Sequence, residues 1–384
     1  MTLSAATEAM DQQEIINAIA LTRINYFNLT GLVELYRRLG SATAVMDHRA
    51  HIREVIPDAS PRLIEAFHDV SEPVRRAEAE MEWDLANGVT PLCMSDDRYP
   101  QRLRECPDAP LVLFYKGTAD LNQARVICMV GTRRCTAYGQ DLISRFMSDL
   151  RQLCPHVLVV SGLAYGIDIC AHRRALQNGM ETVGVLAHGL DDLYPPRHRQ
   201  TADEMERHGG LLTEFLTGTN PDKMNFVRRN RIVAGVADAC ILVESAERGG
   251  GLITCSIARS YDRDVLAFPG PVGAPYSEGC NHLIRDNAAG LITSAADFVH
   301  AMGWEDEQKI ADSRREGIER QLFPDLSDEE KQIVGALERH NDLQINMLSA
   351  QANIPIARLT ALLFSLEMKG VVRTLAGGTY HLLH

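Results

Sequence analysis

The sequence predicts an α/β protein: a Rossmann-like parallel sheet core, with a small helical domain before it and a winged-helix-like domain after it. Three observations predict this. Between residues 89 and 303, short runs that are apolar throughout, such as VICMVG, VLVVSG and ACILVES, alternate with amphipathic stretches. That is the pattern of strands buried on both faces by crossover helices. The residues before this region carry helical periodicity and no good strand. The last sixty residues read as three helices followed by a hairpin.

The elements follow in chain order. EIINAIALTRI and LTGLVELYRRLG space their apolar residues for helices, and SPRLIEAFHDV opens with Ser60-Pro61, a helix start. PVRRAEAEMEWDLANG is a further helix ending at Gly88. Strands are expected at PLCMS, LVLFYKG, VICMVG, VLVVSG, TVGVLAHG, GLLTEF, ACILVES, DVLAFPG and GLITS, and helices at YGQDLISRFMSDLRQL, GIDICAHRRALQNG, HRQTADEMERHG, NFVRRNRIVAGVAD and LITCSIARSYDR. WEDEQKIADSRREGIERQL reads as a charged linker. LSDEEKQIVGALERH opens with Ser327 as N-cap and Glu330 at the capping-box position. QINMLSAQA and PIARLTALLFSLEMKG supply two more helices, and VVRTLAGGTYHLL a hairpin turning at Gly377-Gly378. The expected domains are residues 1–78, 79–303 and 323–384, joined by the linker 304–322.

Composition narrows the class. The 384 residues hold 39 Lys+Arg and 51 Asp+Glu, a net charge of 39 − 51 = −12, which argues against a general polyanion binder but not against a local basic site. No apolar run approaches the ~18 residues of a membrane span, and MTLSAATEAMDQQE lacks the features of a signal peptide, so a cytoplasmic protein is expected. None of the nine cysteines forms a CxxC pair; they read as buried hydrophobes in a reducing compartment, with no metal site.

Four segments carry chemistry. In VICMVGTRRCTAYG a strand ends at Gly131, so the amides of the next helix can meet an anion, with Arg133 and Arg134 adding charge. Neither GxGxxG nor GxxxxGK[ST] is present, so no cofactor is implied. VLVVSGLAYGIDICAHRRAL places Ser161-Gly162 after a strand and Gly166 before a helix. Asp168 and His172, four apart, read as an Asp bonding the turn and a packed His rather than a metal or acid–base pair. TGTNPDKMNFVRRNRIVAG gathers Lys223, Arg228, Arg229 and Arg231 within nine residues around Phe226. Cations for a backbone and an aromatic for a base are how single strands are held without sequence preference. Gly249-Gly250-Gly251 entering a helix with Thr254 makes another anion-friendly loop. In a doubly wound sheet these loops converge at the carboxyl ends of the strands.

At these residues the chain closely resembles the DprA/Smf family, the DNA-processing proteins of bacterial natural transformation. The matching stretches are VGTRRCTAYG, SGLAYGIDICAH, GLDDLYPPRH, LLTEF, FVRRNRIVAG, GGGLITCSIA, AFPG and SEGCNHLIRDNA, spanning about residues 126 to 290. The resemblance implies a protein that binds single-stranded DNA, dimerises through its Rossmann-like domain and loads the RecA recombinase, and that is not an enzyme. It also implies a SAM/helix-hairpin-helix-like N-terminal domain. Gly131, Thr132 and Arg133 match the family's phosphate-contacting turn, Lys223 a basic DNA contact and Phe226 a position able to touch a base. Arg229, Asn230 and Arg231 match its Arg-Asn-Arg run, Ser161, Gly162, Gly166 and Asp168 its second turn, and Gly251 and Thr254 its glycine loop. The chain departs from the pattern at Pro196, where a basic residue is common (Arg197 and Arg199 are substitutes), and at GGGLIT, which replaces Ser-Gly-Ser.

Two other functions compete. A Rossmann-like enzyme or sensor of a nucleotide-derived small molecule would use Glu214 or Glu244 as acid–base groups. A purely architectural protein would leave the Lys223–Arg231 cluster unexplained. The tail, residues 325–384, carries seven acids and five bases, 5 − 7 = −2, which favours a protein-contacting winged helix over one that reads DNA.

Overall fold

The computed structural model describes residues 3–24, 29–57, 59–304, 326–375 and 378–383. The chain divides into two compact units, residues 1–305 and 306–384.

The first unit begins with α1 (Leu3–Thr22), α2 (Leu29–Leu39), α3 (Ala42–Asp47), α4 (Ile52–Val55), α5 (Pro61–His68) and α6 (Ser71–Asn87). Ser60 caps α5, its hydroxyl accepting from the Leu63 N–H at 3.2 Å with Pro61 at the first helical position. α6 ends where Gly88 turns left-handed, at φ +68°. This helix runs straight through residue 78, where the sequence suggested a domain border. The helices also share one core with the sheet: Ile19, Leu21, Val33 and Phe67 belong to the same apolar cluster as Leu113 and Phe114. Glu80 of α6 reinforces the join by accepting from the Thr217 N–H (2.7 Å) and hydroxyl (2.6 Å), while Arg76 pairs with Glu80 at 2.7 Å. The helical segment therefore packs as one body with the sheet, not as the separate domain expected for residues 1–78.

Every expected strand segment contributes one strand: β1 (Thr90–Cys93), β2 (Val112–Gly117), β3 (Val126–Val130), β4 (Leu158–Ser161), β5 (Thr182–Val185), β6 (Gly209–Thr213), β7 (Ala239–Leu242), β8 (Asp264–Ala267) and β9 (Gly290–Leu291). They form one sheet in the order β1-β2-β6-β5-β4-β3-β7-β8-β9. From β6 to β9 neighbours are parallel; β1 and β2 pair antiparallel and extend the sheet past β6, so the sheet is mostly rather than wholly parallel. The helices here are α7 (Gln101–Arg104), α8 (Ala137–Leu153), α9 (Ile167–Gln177), α10 (Arg199–Arg207), α11 (Lys223–Gly235), α12 (Gly250–Ser260), α13 (Glu278–Arg285) and α14 (Ala295–Ala301). Of these, α7, α13 and α14 were not expected; none exceeds eight residues, too short for periodicity to reveal.

Strand alternation explains the double burial. Val126, Cys128 and Val130 pack on one face with Ile232 and Val233 of α11. Ile127 and Met129 pack on the other with Ile143, Phe146 and Met147 of α8. From β3 the chain moves outward to β4 and β5, then returns to build β7 and β8 on the opposite side. The loops after β3 and β7 therefore part at a topological switch point, where such sheets form a crevice.

The second unit contains α15 (Asp328–Arg339), β10 (Leu343–Gln344), α16 (Ile345–Ala352), α17 (Ile356–Met368), β11 (Val372–Leu375) and β12 (Thr379–Leu382). Its three strands lie in the order β10-β12-β11, all antiparallel. The expected capping box is present at Ser327 and Glu330. The linker after Trp304 and the turn residue Gly377 lie outside the described residues.

Glu330 also receives Lys369 at 2.8 Å while its own side chain is 4% exposed. Burial works against its charge, but hydrogen bonds from Lys369, Ser327 and Ser365 prevail and hold the carboxyl at about 2. A depressed carboxyl contributes stability that is full above the unfolded value of 4.5 and is lost as pH falls towards about 2. The urea midpoint of residues 326–383, followed by their amide signals in the full chain, is expected to fall across that window. Glu330→Gln lowers the midpoint at neutral pH and flattens its acid dependence.

Candidate functional site

The crevice at the switch point is a cleft of about 650 Å³. Its floor is the turn after β3. The Thr132 N–H donates to the Glu244 carbonyl at 2.7 Å, fixing the turn to the end of β7. A Cβ on Gly131 would lie 2.6 Å from Ile167 Cγ1 and 2.7 Å from the Glu244 carbonyl, so only glycine fits there. Gly251 is similar: its Cβ would meet Leu242 Cδ1 at 2.9 Å and Gly131 Cα at 3.1 Å. The glycines thus bring two loops and the start of α12 into contact, and the amides opening α12 border the cleft.

One wall is α11. Asp222 caps it, accepting from the Asn225 N–H at 2.7 Å. Lys223, Phe226, Val227, Asn230 and Val233, spaced along one helical face, all border the cleft. Arg133 and Lys223 are exposed and have no ion-pair partner among the described residues. The Arg133 guanidinium lies 4.9 Å from the centre of the Phe226 ring, and the Tyr194 ring lies 5.8 Å from it.

The four cations of α11 do different work. Arg228 and Arg231 both donate to Glu214 Oε2, at 2.7 and 2.5 Å. Arg231 also bonds the Asp108 carbonyl and is buried, away from the cleft. Arg229 is buried as well, but it supports the cleft from beneath: its guanidinium bonds the Val185 carbonyl and leaves no room for a Cβ on Gly162. Asp168 accepts from the Gly162 and Ala164 amides at 3.2 and 3.4 Å. Burial raises its carboxyl above the ordinary range, against the pull of Arg229, and burial lowers Arg229 to about 10, against the pull of Asp168.

Of the expected contacts, Gly131, Thr132, Arg133, Gly162, Lys223, Phe226, Arg229, Asn230, Gly251 and Thr254 border the cleft. Ser161 and Arg231 do not. The Ser161 hydroxyl is spent on the Met129 carbonyl at 2.6 Å inside the sheet, and Arg231 on Glu214, so neither is available to a ligand. Arg197 and Arg199 are exposed but do not border the cleft. His172 is a packed core residue, as expected: its Nδ1 contacts the Thr182 hydroxyl at 2.7 Å and burial pushes it down to about 3. Tyr194, Val227 and Ile253 border the cleft without having been anticipated; nothing in local spacing links Tyr194 to α11. Both acid–base candidates are committed elsewhere. Glu214 holds the two arginines, and Glu244 accepts from the Thr136 hydroxyl (2.6 Å) and N–H (2.9 Å) at the start of α8.

Fold and cleft define a Rossmann-like protein with a switch-point crevice lined by cations, an aromatic pair and glycine-freed amides. Comparison with known proteins is more specific. Residues 90–303 match the family model of DNA recombination-mediator protein A, and residues 319–378 that of the DprA winged helix domain. The chain belongs to the DprA/Smf family. It is 41% identical over 204 residues to the DNA processing protein DprA of Streptococcus pneumoniae, covering 53% of this chain and 71% of that one. It is 30% identical over 338 residues to protein Smf of Escherichia coli, covering 86% and 87%. The solved Streptococcus pneumoniae structure aligns at a TM-score of 0.56 and 32% identity over 72% of this chain and 98% of that one. DNA processing protein A of Helicobacter pylori, described for its single-stranded DNA binding mode, aligns at 0.50 and 25% over 56% and 95%.

The division between supporting and free arginines has a measurable consequence. Arg229→Met leaves buried Asp168 without its compensating charge and is expected to cost about 3 kcal/mol or more in urea unfolding. Arg133→Ala, at the surface, should stay within about 0.5 kcal/mol of wild type.

Proposed function

We propose that the protein is a single-strand DNA-binding recombination mediator that protects incoming DNA and loads the RecA recombinase in the cytoplasm, acting as a homodimer through its Rossmann-like domain and not as an enzyme. The observation that carries this reading is the pair of exposed, unpaired cations, Arg133 and Lys223, flanking Phe226 in the switch-point cleft. In a chain of net charge −12, two cations left without acids beside an aromatic need a ligand to explain them. Phosphates meet Arg133, Lys223 and the amides opening α12, while a base packs against Phe226. Such contacts are chiefly to the backbone and tolerate sequence change. Support also comes from membership of a recombination-mediator family and from the Helicobacter pylori relative described for single-stranded DNA binding.

The small-molecule reading loses its chemistry, because Glu214 and Glu244 are already engaged by Arg228, Arg231 and Thr136. No helix of the described residues is long and apolar enough to cross a membrane. The winged helix fits a protein partner better than a DNA groove. Arg358 and Lys369, the cations on and just after α17, are paired with Glu329 and Glu330 at 2.8 Å each.

Fluorescence anisotropy with a labelled dT oligonucleotide, a matching duplex and ATP as competitor tests the reading. The expected result is a preference for the single strand that weakens with salt. Arg133→Ala/Lys223→Ala should weaken binding and reduce the log–log salt slope by about 0.7 for each cation removed. Displacement of a nucleotide probe by ATP without oligonucleotide binding would favour the small-molecule reading.

A further inference from the structure

The loop from β6 to α11, residues 214–222, has no core anchor in its second half: from Thr217 to Arg228 no residue is buried. Yet Pro221, Asp222 and Lys223, where the loop enters α11, border the cleft. A segment with so few buried contacts keeps one path only where its polar groups are held. Here α6 holds them. The Thr217 N–H donates to Glu80 Oε1 at 2.7 Å and its hydroxyl to Glu80 Oε2 at 2.6 Å, while Arg76 donates to the Thr217 carbonyl at 2.8 Å and hydroxyl oxygen at 2.9 Å. Arg76 also pairs with Glu80 at 2.7 Å, and Glu80 is 2% exposed, so a desolvated carboxylate is matched by donors on every side the loop offers.

Asp84, one turn further along α6, is buried with neither carboxyl oxygen hydrogen-bonded among the described residues. Burial, with Glu80 nearby, pushes it up to about 8, so at neutral pH it is uncharged and leaves Arg76 to Glu80. The loop that bears Tyr194 rests on the same residues. The Gly218 N–H donates to Asp191 Oδ2 at 2.8 Å and the Gly189 N–H to the Thr219 carbonyl at 3.4 Å. A Cβ on Gly189 would lie 2.5 Å from the Leu216 carbonyl oxygen and 2.8 Å from Thr217 Cα, so the two loops are in direct contact. The Tyr194 N–H in turn donates to His188 Nε2 at 3.1 Å. One clasp on α6 thus underlies Lys223 on one side and Tyr194 on the other, although Arg76, Glu80 and Thr217 do not themselves border the cleft.

We propose that Arg76, Glu80 and Thr217 are positioning residues for the cleft, through which the N-terminal helices set the loop that presents Lys223 to a DNA strand. The N-terminal segment then acts on binding without touching the strand. The effect on DNA rests on the reading under Proposed function; the hold on the loop does not. Opening the clasp frees the exposed stretch from Thr217 to Lys223, and a cation on a loose tether loses the fixed geometry that makes its phosphate contact favourable. Arg133 is independent of the clasp, because its turn is fixed to the end of β7 by the Thr132 N–H and the Glu244 carbonyl.

The test combines amide hydrogen exchange of the full chain with titration of the labelled dT oligonucleotide. Thr217→Val removes the hydroxyl and keeps the shape; Thr217→Ser keeps the hydroxyl. In Thr217→Val, exchange at residues 214–223 is expected to quicken roughly tenfold, the scale of one lost hydrogen bond to a charged group, while β3 and β4 exchange as in wild type. Arg76→Met, which opens the clasp from the helix side, should do the same, and carries the test if Thr217→Val does not fold. Thr217→Ser should match wild type. For binding, Lys223→Ala should cost less affinity in the Thr217→Val background than in wild type, whereas Arg133→Ala should cost the same in both. General destabilisation would quicken exchange throughout and leave the losses additive. Unchanged exchange at 214–223 overturns the clasp, and losses from Thr217→Val and Lys223→Ala that simply add overturn its effect on DNA. If wild type binds no oligonucleotide, the DNA reading falls and exchange alone decides whether α6 holds the loop.

Discussion

The cleft depends on one buried cation. Arg229 enters from α11 and is spent on the Val185 carbonyl at the end of β5, beneath the turn that follows β4. Its bulk requires glycine at 162, its charge offsets buried Asp168, and Asp168 in turn holds the Gly162 and Ala164 amides. The same guanidinium lies 6.0 Å from the Phe226 ring, so it also backs the cleft's aromatic. A desolvated charge of this kind is costly unless its surroundings are fixed around it. Here that cost is met by the geometry of two strand ends and a helix, which is what gives the crevice a set shape.

The remaining cations separate by whether an acid is waiting for them. Arg76, Arg102, Arg228 and Arg231 have carboxylates within 2.7 Å and serve as struts. Arg133 and Lys223 face the cleft without one among the described residues. Net charge therefore says little about the cleft, where the fold leaves these two positive groups uncommitted at the switch point beside glycine-freed amides.

Much of this was legible in the sequence. The inner strands of the main sheet, β3 to β7, announced themselves because burial on both faces makes their residues apolar throughout, whereas the edge strand β9 is exposed. The glycine turns were visible because a close approach tolerates nothing larger. The cluster of α11 was seen as a cluster but not sorted, although helical spacing separates Lys223, Phe226 and Asn230 from Arg228 and Arg231. What sequence could not supply was the distant partner: Glu214, which engages Arg231, and Tyr194, which joins Phe226, meet α11 only through the fold. The merging of the N-terminal helices with the sheet was hidden for the same reason, since Glu80 and Thr217 are far apart in the chain.

The place where a strand lies decides the role of the cleft. Photo-cross-linking of an oligonucleotide carrying 5-iodouracil, followed by peptide mapping of the full chain, locates the base directly. Attachment is expected at Phe226 or Tyr194, in the wall of the switch-point cleft. Cross-links confined to residues 326–383 or to the N-terminal helices, with the cleft residues unmodified, would contradict it.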